Sequence, residues 1–322
     1  MKFKENQLKN FASPISATED QKCKNALNMV RDALKNIGYT DDNNVSLLYP
    51  DTSSYAIDMN FSSVGQTRKI RLFVQGSYAN KTNIPTESDV DIAVVLLSTF
   101  WSKYPIGISA KTYGFIDSSD TLQSFKDDVE ELLKQKFSTG VVRHNKSIEV
   151  KGNTYRVDAD TVPCGQHRDY RQDDGTDPTN FIEGIIIQPD SGTRIINYPQ
   201  QHIQNGIIKN KNTGFAFKRM VRIAKNIREC MVGIKSAEDI SSFLIESLLW
   251  NVPDDVYTKY TLLRYTFGEI VEYLKDSISQ ISYFKEINGI KYLTTDDHSR
   301  LNICRQFIDD LSKFYEYDII EL

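Results

Sequence analysis

An apolar run that begins with two aspartates is the feature of this chain that most restricts its fold. The stretch VQGSYANKTNIPTESDVDIAVVLL contains Asp89 and Asp91, and six apolar residues, 92–97, follow them. A short apolar run of this kind is typical of a strand that is buried on both faces. Alternation along the strand directs Asp89 and Asp91 to one face, about 7 Å apart at Cα, and Val90 to the core. The sequence therefore predicts a buried strand with two carboxylates at its start.

Two carboxylates on one face of a strand repel each other unless a cation or a proton lies between them. A hard divalent cation such as Mg²⁺ suits oxygen ligands of this kind. Two such ions can stabilise both oxygens of an in-line phosphoryl displacement. A two-metal site usually needs a further carboxylate, and the later stretch YRVDADTVP offers Asp158 and Asp160. The alternative for the first pair is a solvated strand end, because so short a motif often occurs by chance.

A glycine-serine pair, Gly76-Ser77, precedes the aspartates. Glycine lets the backbone come close to a phosphate, and the serine hydroxyl and adjacent amides can donate hydrogen bonds to it. Most Gly-Ser pairs are simple turns. The order of Gly-Ser, then Asp-x-Asp, then a later Asp on another strand is more specific than any one part, and it indicates metal-dependent nucleotide chemistry.

The organisation along the chain indicates an α+β fold. With 322 residues, the chain is longer than one compact core needs, so two lobes are expected. Apolar periodicity predicts strands over 69–75, 88–97, 141–150 and 153–162. It predicts helices over 18–37, 118–137, 215–232, 241–250, 257–281 and 299–314. A polar loop is expected over 167–180, and strand signals fade after residue 198. The prediction is a mixed sheet with flanking helices, followed by a helical lobe.

Charge and composition exclude several classes of protein. The net charge of −4 argues against a protein that coats nucleic acid by bulk charge. No apolar run approaches the ~20 residues of a membrane span, and the first residues lack the apolar region of a signal peptide. The four cysteines are isolated, which argues against a disulfide framework or a zinc site. We therefore expect a cytoplasmic protein that contacts no membrane.

These motifs resemble the DNA polymerase β-like nucleotidyltransferases, through G-S-x(11)-D-V-D and the later Asp. DADTVPC is similar to the D-x-x-P strand end of the oligoadenylate synthetase branch, a likeness that favours Asp160 over Asp158. NYPQQHIQNGIIKNKNTG resembles the segment that leads into the helical lobe of that branch. FKRMVRIAKNIREC and SSFLIESLLW look like its helix pair behind the nucleotide. Together these stretches resemble the bacterial cGAS/DncV-like nucleotidyltransferases (CD-NTases), clearly over about residues 18–250 and by position alone beyond them.

The resemblance implies a polymerase β-like core and a C-terminal helical lobe, arranged as a bilobal molecule with a central cleft. Residues 1–198, including the N-terminal helix, would form the catalytic lobe, and residues 199–322 would close the nucleotide cleft. Asp89, Asp91 and Asp160 would bind two Mg²⁺ ions, for which Mn²⁺ can substitute.

The resemblance also assigns nucleotide-binding residues. Gly76 and Ser77 would hold the triphosphate of the donor, and Lys225 would point at the same triphosphate. Ser242 would add a hydroxyl to these phosphates, and Phe243 would stack on a base. The last three residues have simpler alternative roles. Lys225 can be a solvated helix lysine, Ser242 can cap its helix and Phe243 can be a core residue.

The sequence leaves the roles of two arginines near Lys225 undecided. Arg219 and Arg222 can contact phosphate or form surface ion pairs.

The implied activity joins NTPs, ATP with GTP, UTP or CTP, into a cyclic di- or trinucleotide second messenger for anti-phage (CBASS-type) signalling. Regulatory protein partners from a defence operon are expected. The chain lacks the zinc insertion and the basic excess of the animal enzyme, so no direct DNA activation is expected. The alternatives are a non-cyclising nucleotidyltransferase that modifies tRNA or a protein, and a fold that binds nucleotide without catalysis.

Overall fold

The computed structural model describes residues 2–63, 66–86, 89–137, 139–295 and 297–317. The strands in chain order are β1 (Lys2–Phe3), β2 (Thr40–Asp41), β3 (Ser46–Leu47), β4 (Tyr55–Ser63), β5 (Gln66–Gln75), β6 (Val90–Lys103), β7 (Val141–Arg143), β8 (Ile148–Val150), β9 (Ala159–Asp169), β10 (Ile182–Ile187), β11 (Ile195–Asn197) and β12 (Glu316–Tyr317). The α-helices are α1 (Glu5–Phe11), α2 (Ala17–Lys35), α3 (Gly76–Asn80), α4 (Leu122–Phe137), α5 (Pro199–Asn212), α6 (Phe217–Cys230), α7 (Lys235–Asp239), α8 (Ser242–Trp250), α9 (Asp254–Thr258), α10 (Leu263–Asp276) and α11 (Ser299–Phe314). Short 3-10 helices cover Ala110–Tyr113 and Ile278–Tyr283.

The chain divides into two compact units. The sheet unit consists of Ser16–Ala79 and Ser88–Pro199, and the helical unit consists of Met1–Ile15, Asn80–Glu87 and Gln200–Leu322. The predicted boundary between residues 198 and 199 lies one residue before the observed one, where the sheet unit ends at Pro199 and the helical unit resumes at Gln200. The structure differs from the predicted division at residues 1–15 and 80–87, which pack with the helices rather than with the sheet.

Apolar burial explains why the first residues join the helical unit. Phe3 and Leu8 are fully buried in the apolar cluster built by α6, α8, α10 and α11. The carboxylate of Glu5 accepts hydrogen bonds from the backbone amides of Leu263 and Arg264 at the start of α10. The parallel pairing of β1 with β12 completes this attachment. The N-terminal segment is therefore part of the helical core, which a local sequence pattern does not reveal.

The sheet unit is built on a mixed sheet with the strand order β11-β10-β9-β6-β5-β4-β2. Its centre is the parallel pair β6 and β9, and the flanking pairs are antiparallel. Helix α4 and the β7–β8 hairpin lie in the chain between β6 and β9, and β8 also pairs with β9. Strand β9, which carries the predicted third carboxylate, is thus the direct neighbour of β6.

Different structural elements pack against the two faces of the sheet. Helices α2 and α4 pack on one face, where a β-carbon on Gly165 would collide with Trp101 and Leu122. The opposite face carries a separate apolar cluster that includes no residue of α2 or α4. Its buried members are Ala56, Phe73, Ala93, Val95, Val162, Cys164, Ile185 and Ile187. Because side chains alternate along a strand, Asp91 and Asp160 share this second face with Ala93 and Val162.

Most predicted elements are confirmed, with different ends. Helices α2, α4, α6, α8 and α11 and strand β5 lie where the periodicity placed them. Strand β6 runs six residues past its predicted end at Leu97, and Ser88, its predicted start, lies outside the described residues. The predicted strand over 141–150 is the β7–β8 hairpin, and β9 extends into the predicted polar loop as far as Asp169.

Other predictions were wrong or incomplete. The predicted helix over 257–281 is divided into α9, α10 and a 3-10 turn. Strands β4, β10 and β11 and helices α1 and α5 had no predicted counterpart. Of the helices in the described ranges, none has the length and apolar character that crossing a membrane would require.

Candidate active site

Asp91 and Asp160 lie side by side on the two central strands. In the parallel pairing of β6 with β9, Asp91 is the partner of Asp160, and neighbouring strands are about 4.8 Å apart. Both aspartates are half-buried, at the ends of strands that are otherwise fully buried there. The structure thus brings together one aspartate of the Asp-x-Asp pair and the third aspartate.

Asp89 directly precedes β6 and is exposed. Burial raises the pKa of Asp160 above its ordinary value, and the negative charge of Asp89 raises this pKa further. A carboxylate whose pKa is raised by a second carboxylate marks a place where negative charge accumulates. Asp89 therefore interacts electrostatically with Asp160, which is also the strand partner of Asp91.

Gly76 lies directly against the carboxylate of Asp91. Strand β5 pairs with β6 so that Gln75 is the partner of Asp91, and Gly76 follows as the first residue of α3. A β-carbon on Gly76 would overlap Oδ2 of Asp91, and the backbone of Gly76 has a φ of 69°. Both the close approach and the left-handed backbone require glycine. The Gly-Ser pair is thus in the same place as the aspartates, and Ser77 is the half-buried second residue of α3.

The β7–β8 hairpin supports Asp160 from the other side. The hydroxyl of Ser147 donates to Oδ1 of Asp160 at 3.4 Å, and Glu149 is the partner of Asp160 in the β8–β9 pairing. The fully buried ammonium of Lys126 donates to the carbonyls of His144 and Asn145 at 3.0 and 2.9 Å, at the turn of this hairpin. Lys126 was not recognised in the sequence, although a charged residue on the apolar stripe of α4 is a usable signal.

Asp158 has a different role from Asp160. Its Oδ1 accepts from the amide of Gly152 at 2.5 Å, and its Oδ2 lies 3.5 Å from Nζ of Lys151. Asp158 therefore closes the loop that leads into β9. The geometry agrees with the choice of Asp160 over Asp158.

The fit of this site to a metal depends on its oxygen donors. Asp91 and Asp160 offer adjacent carboxylates, which are the ligands that Mg²⁺ prefers. Within the described ranges, no three His, Cys, Asp or Glu side chains are already arranged as a metal-ligand set. Asp89, the remaining predicted carboxylate, is exposed directly before β6. The oxygen donors of Asp91 and Asp160 therefore fit a divalent cation by their chemistry.

A buried basic row on α6 holds the predicted triphosphate lysine. Lys218, Arg222 and Lys225 recur at intervals of four and three residues, which places them on one side of the helix. Lys225 is fully buried, so the alternative of a solvated helix lysine is wrong. The carboxylate of Glu246 on α8 is also buried. Burial raises the pKa of Glu246, but its interactions with His202 and Lys225 outweigh this effect, and the pKa is lowered.

Ser242 and Phe243 begin α8. The side chain that caps this helix is Ser241, whose oxygen accepts from the amide of Leu244 at 3.3 Å. Ser242 instead accepts a hydrogen bond from Nη1 of Arg228 at 2.9 Å, so the capping alternative for Ser242 is wrong. Phe243 is half-buried, and its ring lies 5.7 Å from the ring of His202. Because Phe243 also packs against the apolar cluster of the helical unit, its burial agrees with the plainer alternative of a core position.

Arg222 is neither a surface ion pair nor an open phosphate ligand. Its guanidinium is buried and donates to the backbone carbonyls of Ala12 and Lys81. Burial, with a smaller contribution from the positive charge of Arg219, lowers the pKa of Arg222 to about 10. Neither this role of Arg222 nor the buried Glu246 was predicted from the sequence. In both cases the signal was a charged residue on the apolar side of a helix.

The whole chain is similar to known proteins. The chain is 43% identical over 320 residues to the cyclic GMP-AMP synthase CdnE03 of Staphylococcus schleiferi, and 98% of each chain is covered. It is 35% identical to the cyclic dipyrimidine nucleotide synthase CdnE of Cecembia lonarensis, with 91% of this chain and 90% of the relative covered. The solved structure of Rhodothermus marinus CdnE c-UMP-AMP synthase with Apcpp and Upnpp has a TM-score of 0.73 at 27% identity, and 97% of each chain is covered.

A family model also matches the helical part. The model of the cGAS/DncV-like nucleotidyltransferase C-terminal helical domain covers residues 204–316, which includes the last helices. The predicted fold class, the predicted enzyme class and the predicted family are all confirmed. This chain belongs to the cGAS/DncV-like nucleotidyltransferases (CD-NTases).

Proposed function

We propose that this enzyme joins nucleoside triphosphates into a cyclic di- or trinucleotide second messenger and releases pyrophosphate at each transfer. The observation that carries the proposal is the pairing of Asp91 with Asp160 beside Gly76, in a chain that matches a cyclic GMP-AMP synthase over nearly its whole length. Each transfer forms a bond between a ribose hydroxyl oxygen and an α-phosphorus atom. The bond from that phosphorus to pyrophosphate breaks, and the hydroxyl proton leaves.

Asp89, Asp91 and Asp160 would hold two Mg²⁺ ions, which supply charge neutralisation at the reacting phosphate and lower the pKa of the attacking hydroxyl. The raised pKa of Asp160 suits a carboxylate that accepts or directs the proton of that hydroxyl. The amide of Gly76 and the hydroxyl of Ser77 would donate to the donor triphosphate.

Residues at α6 and α8 also have proposed nucleotide-binding roles. Lys225 and Ser242 would neutralise and hold the β- and γ-phosphates, and Phe243 would stack on a base. After the first transfer, the linear product would turn round, so that its own free hydroxyl attacks the remaining triphosphate and closes the ring.

The bases that the enzyme joins are part of the proposal. The relatives named above make cyclic GMP-AMP and a cyclic dipyrimidine nucleotide. ATP is the substrate that we expect, together with GTP, UTP or CTP.

The decisive experiment is incubation of the protein with four radiolabelled NTPs and Mg²⁺ or Mn²⁺, followed by phosphatase treatment and chromatography. A phosphatase-resistant product is expected, and it should be absent from the Asp89→Asn/Asp91→Asn variant and in the presence of EDTA. Omitting each NTP in turn identifies the bases. Label that appears only in added tRNA or protein would instead identify the non-cyclising alternative.

The proposed role of the product is anti-phage (CBASS-type) signalling from the cytoplasm, with regulatory proteins of the same operon as partners. Family membership supports this role. We expect cells that carry the gene with its genomic neighbours to resist phage plating, and cells with the Asp89→Asn/Asp91→Asn variant to lose that resistance. Equal plating on both strains would contradict the signalling role without affecting the chemistry.

A further inference from the structure

Eight of the eleven residues that separate Ser77 from Asp89 belong to the helical unit. Residues 80–87 follow Gly76-Ser77 and lead to Asp89, and they pack with the helices rather than with the sheet. Asn80, Thr82, Asn83 and Ile84 are all buried there. Asn80 is also the last residue of α3, which begins with Gly76 and Ser77. The placement of this segment therefore bears, through α3, on the glycine-serine turn.

Arg222 holds the start of this segment. Its Nη1 donates to the carbonyl of Lys81 at 2.5 Å. Its Nε and Nη2 donate to the carbonyl of Ala12 at 2.8 and 2.6 Å, at the end of α1. Lys81 has a φ of 55°, a left-handed conformation that residues with a side chain rarely adopt. A guanidinium bonded to its carbonyl stabilises this conformation, because a buried charged donor makes a strong hydrogen bond.

Glu246 holds the next residue. The hydroxyl of Thr82 lies 3.3 Å from Oε2 of Glu246, and both residues are buried. Oε1 of Glu246 lies 3.3 Å from Nε2 of His202 on α5. Glu246 is the single charged residue in the apolar sequence of α8, SFLIESLLW. A buried carboxylate at such a position requires a structural or functional reason, since its burial is costly.

We propose that Arg222 and Glu246 are positioning residues for nucleotidyl transfer, which hold segment 80–87 through the Lys81 carbonyl and the Thr82 hydroxyl. Through this segment, which continues α3 (Gly76–Asn80), they set the positions of Gly76 and Ser77. The inference rests on the proposed function, since it assigns a catalytic consequence to these contacts. It differs from a direct role in phosphate binding, because the groups involved bond to protein atoms.

The sharpest test is the pair Thr82→Val and Thr82→Ser. Valine keeps the shape of threonine and removes the hydroxyl, whereas serine keeps the hydroxyl. We expect Thr82→Val to lower kcat at saturating NTP and Mg²⁺ by about tenfold or more, because small displacements of catalytic groups are costly. Thr82→Ser should restore most of the rate. Hydrogen exchange of the backbone amides over 80–86 should be faster in Thr82→Val than in Thr82→Ser.

A second pair tests Arg222. Arg222→Gln loses the bonds to both carbonyls. Asn226→Ala on the same helix loses the 3.3 Å bond from Asn226 Nδ2 to the carbonyl of Phe11, which attaches α1 without touching segment 80–87. We expect kcat to fall in Arg222→Gln and to stay within about twofold of the native value in Asn226→Ala. If Arg222→Gln does not fold, the Thr82 pair decides the question.

The outcomes separate this inference from the proposed function. A native enzyme that makes cyclic product, with Thr82→Val as fast as Thr82→Ser, overturns the positioning role alone. A lower melting temperature with unchanged kcat for the folded protein would show a structural role and also overturns it. A native enzyme that makes no product from any mixture of NTPs overturns the proposed function, and the positioning role with it.

Discussion

The carboxylate of Asp91 occupies the space in which a β-carbon on Gly76 would stand. This contact makes glycine necessary at residue 76 for a reason separate from its φ of 69°. Substitution by alanine would displace a carboxylate that we assign to metal binding. We therefore expect Gly76→Ala to lower the rate of nucleotidyl transfer by about a hundredfold or more.

A matched control separates the displaced carboxylate from backbone strain. Gly107 also has a positive φ, 85°, but a β-carbon there would meet no atom within 4 Å. Both alanine variants carry the backbone penalty of about 1 to 2 kcal/mol, so both should melt earlier than the native protein. Transfer assays should show loss of activity in Gly76→Ala alone. Equal activity in the two variants would contradict the role given to this contact.

The raised pKa of Asp160 predicts how stability depends on pH when no metal is present. An unfolded aspartate loses its proton near pH 3.9, whereas folded Asp160 keeps its proton to higher pH. In that window the folded state binds more protons, so stability falls as pH rises, and the cost persists at neutral pH. We therefore expect Asp160→Asn to raise the melting temperature at pH 7 without divalent ions, and to have little effect below pH 4.

Addition of Mg²⁺ completes this experiment. A bound cation offsets the repulsion between the carboxylates, so Mg²⁺ should raise the melting temperature of the native protein. Asp160→Asn should respond much less, because one ligand is lost. An Asp160→Asn variant that is less stable than the native protein at pH 7 without metal would argue against accumulated negative charge at this site.

The proximity of Asp91 and Asp160 could be predicted from the sequence because the signals are local. The apolar run after Asp91 and the strand after Asp160 each reveal their own position, and a parallel pairing is enough to bring them together. The sequence could not reveal contacts between distant segments. Glu5 accepts from the backbone amides that begin α10, more than 250 residues away, and this contact marks the start of a helix that the periodicity had merged with α9.

Helix α5 was missed for a different reason. Its sequence, PQQHIQNGIIKNKN, is rich in Asn and Gln and contains a glycine, so its apolar stripe is weak. Proline at its first position was the available signal. The assignment of segment 80–87 to the helical unit could not be predicted either, because its polar residues are typical of a loop. Its attachment depends on Arg222 and Glu246, which lie more than 130 residues away in sequence.

Lys126 should stabilise the hairpin that supports Asp160. Its ammonium is 1% exposed and donates to two carbonyls, and it also lies 3.0 Å from Oδ1 of Asp190. Methionine would leave these groups without their buried donor. We expect Lys126→Met to lower the free energy of unfolding by about 2 to 4 kcal/mol. Urea titration measures this change.

Lys134 on the same helix provides the comparison for Lys126. Its side chain is 57% exposed, and it pairs with Glu130 one turn away. An exposed pair of this kind contributes about 0.5 kcal/mol or less. A loss in Lys134→Met equal to that in Lys126→Met would mean that burial of the ammonium has no particular importance.

Lys225 and Lys209 allow a separation of nucleotide binding from stability in the helical unit. Lys209 is buried and lies 2.6 Å from Oδ1 of Asp254. Lys225 is fully buried near Glu246, and we assign it to the triphosphate. We expect Lys225→Met to raise the KM for ATP by about tenfold to a hundredfold, because a charge-assisted bond to phosphate is lost. Lys209→Met should lower the melting temperature and leave this KM nearly unchanged. Steady-state rates at graded ATP concentrations, with melting curves of both variants, distinguish the two effects.

An equal rise of the KM for ATP in Lys225→Met and Lys209→Met would contradict the assignment of Lys225 to the triphosphate.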